Sequence, residues 1–287
     1  MHNGFSLEQI ASPAAIAHWS ARARSSAGTV GFVPTMGALH EGHLDLVRRA
    51  KKACDKVVCS IFVNPLQFNN PEDLARYPQQ PAEDQALLES VGCDALFFPT
   101  KQDLFAGFTP TTYDLGGLDR HWEGPSRPGH FQGVVNVVER LFFHVRPDAA
   151  YFGEKDRQQL AIVQFVAKNQ HWPERIAPCP TVRTADGLAL SSRNLRLSDG
   201  ERGDAIVLSQ ALLATRSLAF TASVNDTLAA GLGLLHAVPG VQVDYFGIAH
   251  PETLEPLLDW GELTEAIALV AAQVGPVRLI DNMTLRR

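Results

Sequence analysis

The sequence predicts an α/β protein: a parallel sheet with helices on both faces over its first two thirds, and a smaller α+β region after that. Three observations carry this. Short apolar runs at residues 29–33 and 57–63 end at Pro34 and at Asn64-Pro65, the pattern of strands buried on two faces. A segment of helical period lies between them. Past about Val182 the texture changes to two helical stretches followed by strands of alternating polarity, which suits a separate α+β domain. At 287 residues, against about 150 per domain, two unequal domains are expected, 1–182 and 183–287.

The elements follow in order. After the strand at 29–33, Leu44, Val47, Ala50 and Cys54 recur at helical spacing while Asp45, Arg48, Arg49, Lys51 and Lys52 take the other faces, so a helix begins near Gly42. Beyond the strand at 57–63 come a helix at 82–91 and an apolar strand at 95–98. Gly and Pro then cluster through 106–133, a loop-rich excursion. Val134, Val135, Val138, Leu141 and Phe142 mark another helix, and Leu160, Val163 and Ala167 one that begins after Lys155-Asp156. Repeated strand-helix units of this kind build a Rossmann-like domain. In the second region Ser198-Asp199-Gly200-Glu201 has the form of a capping box, and residues 223–226 open a second helix. Val241, Val243 and Tyr245 alternate as a strand does, and two further strands are expected at 265–271 and 277–281.

Composition excludes several functions. Lys plus Arg is 25 against Asp plus Glu 31, a net charge of −6, and no basic run is longer than a pair such as Arg48-Arg49, Lys51-Lys52 or Arg286-Arg287. Binding to nucleic acid through a concentrated basic surface is therefore not expected. No apolar stretch approaches the roughly 20 residues needed to cross a bilayer, and the N-terminus lacks a basic segment followed by an apolar one, so a cytoplasmic protein without membrane partners is expected. Cys54, Cys59, Cys93 and Cys179 form no Cys-x-x-Cys pair and read as structural thiols.

The strongest chemical signal is Pro34-Thr35-Met36-Gly37-Ala38-Leu39-His40-Glu41-Gly42-His43, between a strand and a helix. Unpaired N–H groups and the helix dipole converge where a glycine-bearing turn feeds a helix, so a phosphate is favoured there. Two imidazoles beside Gly42 would add donors at the same point; a single histidine in that position is more often a cap or a surface residue. Gln67 and Gln159 each lie near a strand end or helix start, where amides suit a hydroxy acid or else complete a core network. Lys155 and Arg193 are the leading cations for a triphosphate, with hydroxyls of Ser191 and Ser192 beside the second; a solvated ion pair and an ordinary turn are the alternatives. Asp84, with Glu83, is either a carboxylate in the outer shell of a magnesium ion or an exposed helix residue.

His-x-Gly-His after a strand resembles the nucleotide-binding signature of the adenylyl-transferring superfamily. The whole string resembles the pantothenate synthetase (pantoate–β-alanine ligase) family, and so do four later blocks, which begin at Ser60, Arg127, Tyr151 and Arg183, and the segment Arg278-Leu279-Ile280-Asp281-Asn282. The resemblance implies a ligase that makes pantothenate from ATP, pantoate and β-alanine through pantoyl adenylate, releasing AMP and pyrophosphate, with Mg²⁺ and as a homodimer. It implies that residues 34–43, Gly153, Glu154, Lys155, Asp156, Val182, Leu190, Ser191, Ser192 and Arg193 bind ATP, and that His43, His40, Lys155 and Arg193 are catalytic, with His43 as proton donor. Gln67, Gln159 and Met36 would bind pantoate, Gln67 also β-alanine, and the region 183–287 would act as a lid. The chain departs from the family pattern at Leu66, Asn136, Phe143 and Leu190, where Thr or a Met-like residue, Thr, Asn and Met are usual; Leu for Met conserves volume. A nucleotidyltransferase would share His-x-Gly-His but not the glutamine pair, and a silent nucleotide-binding regulator would have lost cations or histidines that are all present here.

Overall fold

The computed structural model describes residues 6–25, 27–69 and 71–287. They form two compact units. The first comprises the described residues of Met1–Gly116 with Arg127–Glu154 and Ile162–Pro180; the second comprises Gly117–Ser126, Lys155–Ala161 and Thr181–Arg287.

In the first unit six strands, β1 (Glu8–Ile10), β2 (Val30–Thr35), β3 (Lys56–Ile61), β4 (Ala95–Phe97), β5 (Ala149–Gly153) and β6 (Arg175–Cys179), make one sheet in the order β1-β4-β3-β2-β5-β6. Every pairing in it is parallel. In chain order the helices are α1 (Pro13–Arg24), α2 (Glu41–Ala53), α3 (Pro71–Ala75), α4 (Pro81–Ser90), α5 (Lys101–Leu104), α6 (Glu123–Ser126), α7 (His130–Val145), α8 (Arg157–Asn169), α9 (Asp199–Leu218) and α10 (Val224–His236). Val33, Leu39, Leu46, Val47, Ala50, Val57 and Cys59 share one core cluster between α2 and the sheet. The apolar stripe read from the sequence is thus the buried face of α2, whose charged residues are left outside.

Strand order places the site. From β2 the chain moves to β3 and β4 on one side, then returns to β5 and β6 on the other, so order reverses between β2 and β5. Those two strands pair only at Gly31↔Ala149 and Phe32↔Ala150, whereas β2 stays paired with β3 as far as Thr35↔Ile61. The carboxyl ends of β2 and β5 therefore part, leaving the crevice in which sheets of this kind bind ligands.

A tight approach seats the next piece. The 3-10 turn Pro65–Gln67 lies on the first turns of α7, where a Cβ on Gly133 would come within 2.2 Å of the Leu66 carbonyl oxygen. Asn64 closes the contact, its amide donating to the Gly133 carbonyl at 3.0 Å.

In the second unit β7 (Val241–Ala249), β8 (Glu265–Val274) and β9 (Val277–Arg286) form an antiparallel meander with a bulge between Val243 and Tyr245. Leu208, Leu212, Leu235, Ile248, Ala268 and Val270 belong to the core that joins α9 and α10 to this sheet. The expected capping box is present: Ser198 caps α9 and Glu201 returns a bond to its backbone. Ser223 caps α10 through the Asp226 N–H. Part of the predicted loop excursion also folds here. Trp122 donates to the Leu254 carbonyl at 2.7 Å, and Glu123 accepts from Arg278 at 2.7 and 2.9 Å and from the Tyr245 hydroxyl at 3.0 Å. Burial and the Glu123 charge push the Tyr245 phenol far above its usual range, so it stays a hydrogen-bond donor.

Gly133→Ala tests the seat under the 65–67 turn. Helix propensity alone would stabilise this change by about 1 kcal/mol, but the collision with a backbone carbonyl should cost about 1–3 kcal/mol and outweigh it. Urea unfolding should show a lower midpoint; a higher midpoint would mean that the approach is not close.

Candidate active site

Pro34 and Thr35 end β2, Met36 to Leu39 form the turn, and His40 to His43 start α2. Gly37 and Ala38 have φ of +83 and +49°, consecutive left-handed residues. An alanine there costs about 1–2 kcal/mol, so the turn needs external support. Thr35 Oγ1 accepts from the Gly37 N–H at 3.2 Å and donates to the Ser60 carbonyl at 2.7 Å. The Asp84 carboxylate, on α4, accepts from the Ala38 N–H at 2.9 Å and the Leu39 N–H at 2.6 Å. Asp84 is 2% exposed, so the exposed-helix alternative for it is overturned. Burial pushes its carboxyl upward while the two amide bonds pull it back.

The histidines complete the turn by capping the helix with their own rings. His43 Nδ1 accepts from the His40 N–H at 3.3 Å, and His40 Nδ1 accepts from the Gly42 N–H at 3.1 Å. The two rings lie 4.1 Å apart, centre to centre. A neutral imidazole that accepts at Nδ1 carries its proton on Nε2, so each ring has its N–H on the side opposite the nitrogen that caps the helix. This alters the expectation for the turn. The N–H groups of Gly37, Ala38, Leu39, His40 and Gly42 are all engaged by side chains, so these five do not form a nest of free amides.

The structure brings two of the predicted pantoate residues together. Gln67 is 9% exposed; its Nε2 lies 3.1 Å from Met36 Sδ, and its Oε1 accepts from Asn64 at 3.1 Å. The Gln67 carbonyl is held by His130 Nδ1 at 2.8 Å and by Arg127 at 3.3 Å. Sequence reasoning gave no role to Asn64, His130 or Arg127, although all three lie inside or beside quoted motifs. Gly153 ends β5 and Glu154 follows it, at the parted end of the sheet.

The remaining predicted residues, Lys155, Asp156, Gln159, Val182, Leu190, Ser191, Ser192 and Arg193, belong to the second unit. Gln158 and Gln159 differ sharply. Gln158 is the core glutamine, accepting from the Glu123 N–H and donating to the carbonyls of Leu118 and His121, whereas the half-buried Gln159 makes no side-chain hydrogen bond among the described residues. Residues 182–190 double back, with Leu190 N–H donating to the Val182 carbonyl at 3.0 Å. Arg183 holds this loop. It donates to both Asp281 oxygens at 2.5 and 2.8 Å, to the Gly187 carbonyl at 3.1 Å and to the Asn282 carbonyl at 3.1 Å. Asn282 in turn donates to the Lys155 carbonyl at 2.8 Å. Ser191 caps the 3-10 turn Ser192–Arg196 by accepting from the Arg193 N–H at 3.2 Å.

No group of three or more His, Cys, Asp or Glu among the described residues could hold a metal ion. Cys59, Cys93 and Cys179 are buried, and burial pushes Cys93 up to about 12 and Cys179 to about 11, which keeps these thiols neutral and structural.

A parallel sheet whose strand order reverses beside a paired-histidine helix cap has the architecture of an α/β enzyme that binds its ligand at the switch point. Comparison makes the assignment particular. The chain belongs to the pantoate-β-alanine ligase family, whose model matches residues 8–284. It is 50% identical to the pantothenate synthetase of Thermus thermophilus over 256 residues, 88% of this chain and 92% of the relative. To the enzyme of Porphyromonas gingivalis it is 42% identical over 277 residues, 94% and 96% of the two chains. The crystal structure of the Thermus enzyme superposes with a TM-score of 0.91 at 47% identity, covering 96% of this chain and 99% of that one. A pantoate-β-alanine ligase from Francisella tularensis, solved with β,γ-ATP and β-alanine, gives a TM-score of 0.79 at 31% identity, with 97% of each chain covered. No described helix is long and apolar enough to cross a membrane.

Asp281→Ala should cost about 3–5 kcal/mol, because it strands a guanidinium that now has a buried bidentate partner. Urea unfolding measures the loss; a change within about 0.5 kcal/mol, the range of ordinary surface substitutions, would show that Arg183 does not depend on it.

Proposed function

We propose that this ligase condenses pantoate with β-alanine in two steps at the His40–His43 turn. The observation that carries this reading is the paired imidazole cap at the start of α2, on the turn that follows β2 where it has parted from β5. In the first step a pantoate carboxylate oxygen attacks the α-phosphorus of ATP and the bond to the β-phosphate oxygen breaks, giving pantoyl adenylate and pyrophosphate. In the second the amine of β-alanine attacks the acyl carbon, AMP leaves and a proton is lost from nitrogen.

Charge moves onto the departing phosphates in the first step, and donors fixed beforehand are worth most where charge develops. His40 and His43 are assigned as such donors, and the family resemblance makes His43 the proton donor. Lys155 and Arg193 are the cations assigned to the triphosphate. Gly153, Glu154, Asp156, Val182, Leu190, Ser191 and Ser192 complete the ATP contacts, while Pro34 to Leu39, whose turn amides are already engaged, contribute shape. Gln67 and Gln159 hold the pantoate hydroxyl and carboxylate, Met36 packs against pantoate beside Gln67, and Gln67 also meets β-alanine. The β,γ-ATP and β-alanine bound to the Francisella relative support ATP and β-alanine as ligands.

Mg²⁺ accompanies the triphosphate and lowers its charge when bound. The donor set suits an ion carried in on phosphates and water, because the described residues offer no cluster of ligands of their own. Asp84, expected in its outer shell, already binds one amide with each oxygen. The resemblance supports a cytoplasmic homodimer in which residues 1–182 bind nucleotide and pantoate and residues 183–287 serve as a lid.

With pantoate and Mg²⁺ but no β-alanine, the enzyme should exchange labelled pyrophosphate into ATP. ADP as product, or exchange that requires β-alanine, would contradict the adenylate. His43→Ala should slow this exchange by about 10²–10³. Gln67→Ala and Gln159→Ala should each weaken pantoate use by about 1–3 kcal/mol with ATP affinity retained; isothermal titration distinguishes this from the reverse pattern, which would exchange the roles.

A further inference from the structure

Asp84 is a buried acid that the mechanism above leaves unused. It stands in the first turn of α4 and touches the active-site turn from a separate segment of chain, 45 residues from Leu39. Its two oxygens divide two consecutive amides between them, Oδ2 with Ala38 and Oδ1 with Leu39. The geometry around it admits little else. A Cβ on Gly37 would lie 3.0 Å from Asp84 Oδ2 and 3.0 Å from Ile61 Cγ2, so the turn packs tightly against the carboxylate, and its φ of +83° favours glycine at position 37. Ala38 is fully buried and Leu39 is 5% exposed, so water has no ready access to replace these bonds.

The next amide along the chain, that of His40, is the one bound by His43. The direction of the chain as it enters α2 is therefore set by the bonds to Asp84, and the ring positions of both histidines follow from that direction. We propose that Asp84 is a positioning residue for adenylation: by holding the Ala38 and Leu39 N–H groups it fixes the left-handed turn that leads into the helix cap, and with it the positions of the His40 and His43 rings, the donors assigned to the phosphates. This rests on the assignment of those donors to ATP. A side chain that acts in this way touches neither substrate nor metal.

Asp84→Asn keeps the shape but replaces one accepting oxygen with an NH₂ group that faces an amide N–H. In the full-length enzyme three measurements separate the possibilities. Hydrogen exchange and amide shifts come first and need no substrate. In the wild-type protein the Ala38 and Leu39 amides should be protected, and at least one should lose protection in Asp84→Asn; wild-type amides that exchange as fast as an open loop would overturn the proposal even if the variant fails to fold. Pyrophosphate exchange comes second. Its kcat should fall about 10- to 100-fold, the scale of an ångström-level misplacement of a catalytic group, while the KM for ATP shifts less than about threefold, a small part of that effect. Loss of amide protection with unchanged kcat would overturn the positioning role.

The Mg²⁺ dependence of the same reaction comes third and should be unaltered. A raised Mg²⁺ requirement with Ala38 and Leu39 still protected would place Asp84 in the metal's outer shell and overturn the proposal. If the wild-type enzyme itself gives no exchange, the adenylate reading fails, and the amide measurement still decides whether Asp84 holds the turn.

Discussion

The reciprocal cap at the start of α2 is the constraint on which the site depends. Helix N-termini leave N–H groups unpaired, and this one is closed by imidazole nitrogens in place of the usual hydroxyl or carboxylate. A carboxylate cap would have satisfied the backbone equally well and left nothing to donate, and a hydroxyl cap would have left only its own short O–H. An imidazole accepts at one nitrogen and donates at the other, so in the function proposed above one pair of side chains serves the helix on its inner edge and a ligand on its outer edge. Local folding and chemistry share the same atoms, which explains why the spacing His-x-Gly-His carries so much information. N-cap and N3 are the positions that face one another across a helix start, and the glycine between them crowds neither ring.

Each compact unit meets a similar problem in a similar way. A loop that carries polar groups must keep a fixed course without regular hydrogen bonding, and in each unit a buried aspartate supplies the missing partner. Asp84 does so for the turn after β2, directly through two amides. Asp281 does so for the 182–190 loop, through the guanidinium of Arg183, which then reaches the Gly187 and Asn282 carbonyls. Asn282, the next residue along β9, extends this hold to the backbone of Lys155. Residues at the far end of the sequence thus fix the chain beside a lysine more than a hundred positions earlier.

Much of this was legible in the sequence, and the exceptions have physical causes. Both strands buried on two faces, the amphipathic α2, the Ser198 capping box and the strands of the second unit could be read from apolar period and cap chemistry. β1 could not: it has three residues, of which only Ile10 is buried. β5 opens on two alanines and β6 is an edge strand that contains Pro178, so neither presents a run of branched apolar residues. The excursion at 106–133 lacks period because its order comes from distant partners, Trp122 with Leu254 and Glu123 with Arg278. At the site, residue types and their local spacing were visible. What stayed hidden was which groups their neighbours consume: that the turn amides are taken, that Asp84 takes two of them, and that Gln158 rather than Gln159 belongs to the core.

The helix cap fixes the tautomer of both histidines, and nitrogen NMR of the imidazole rings in histidine-labelled protein tests this most directly. At a pH where the rings are neutral, His40 and His43 should each show an unprotonated Nδ1 and a protonated Nε2, without the averaging seen for free imidazole. Protonated Nδ1 in either ring, or rapid exchange between tautomers, would contradict the account, because the ring could not then cap the helix and present its donor to a phosphate at the same time.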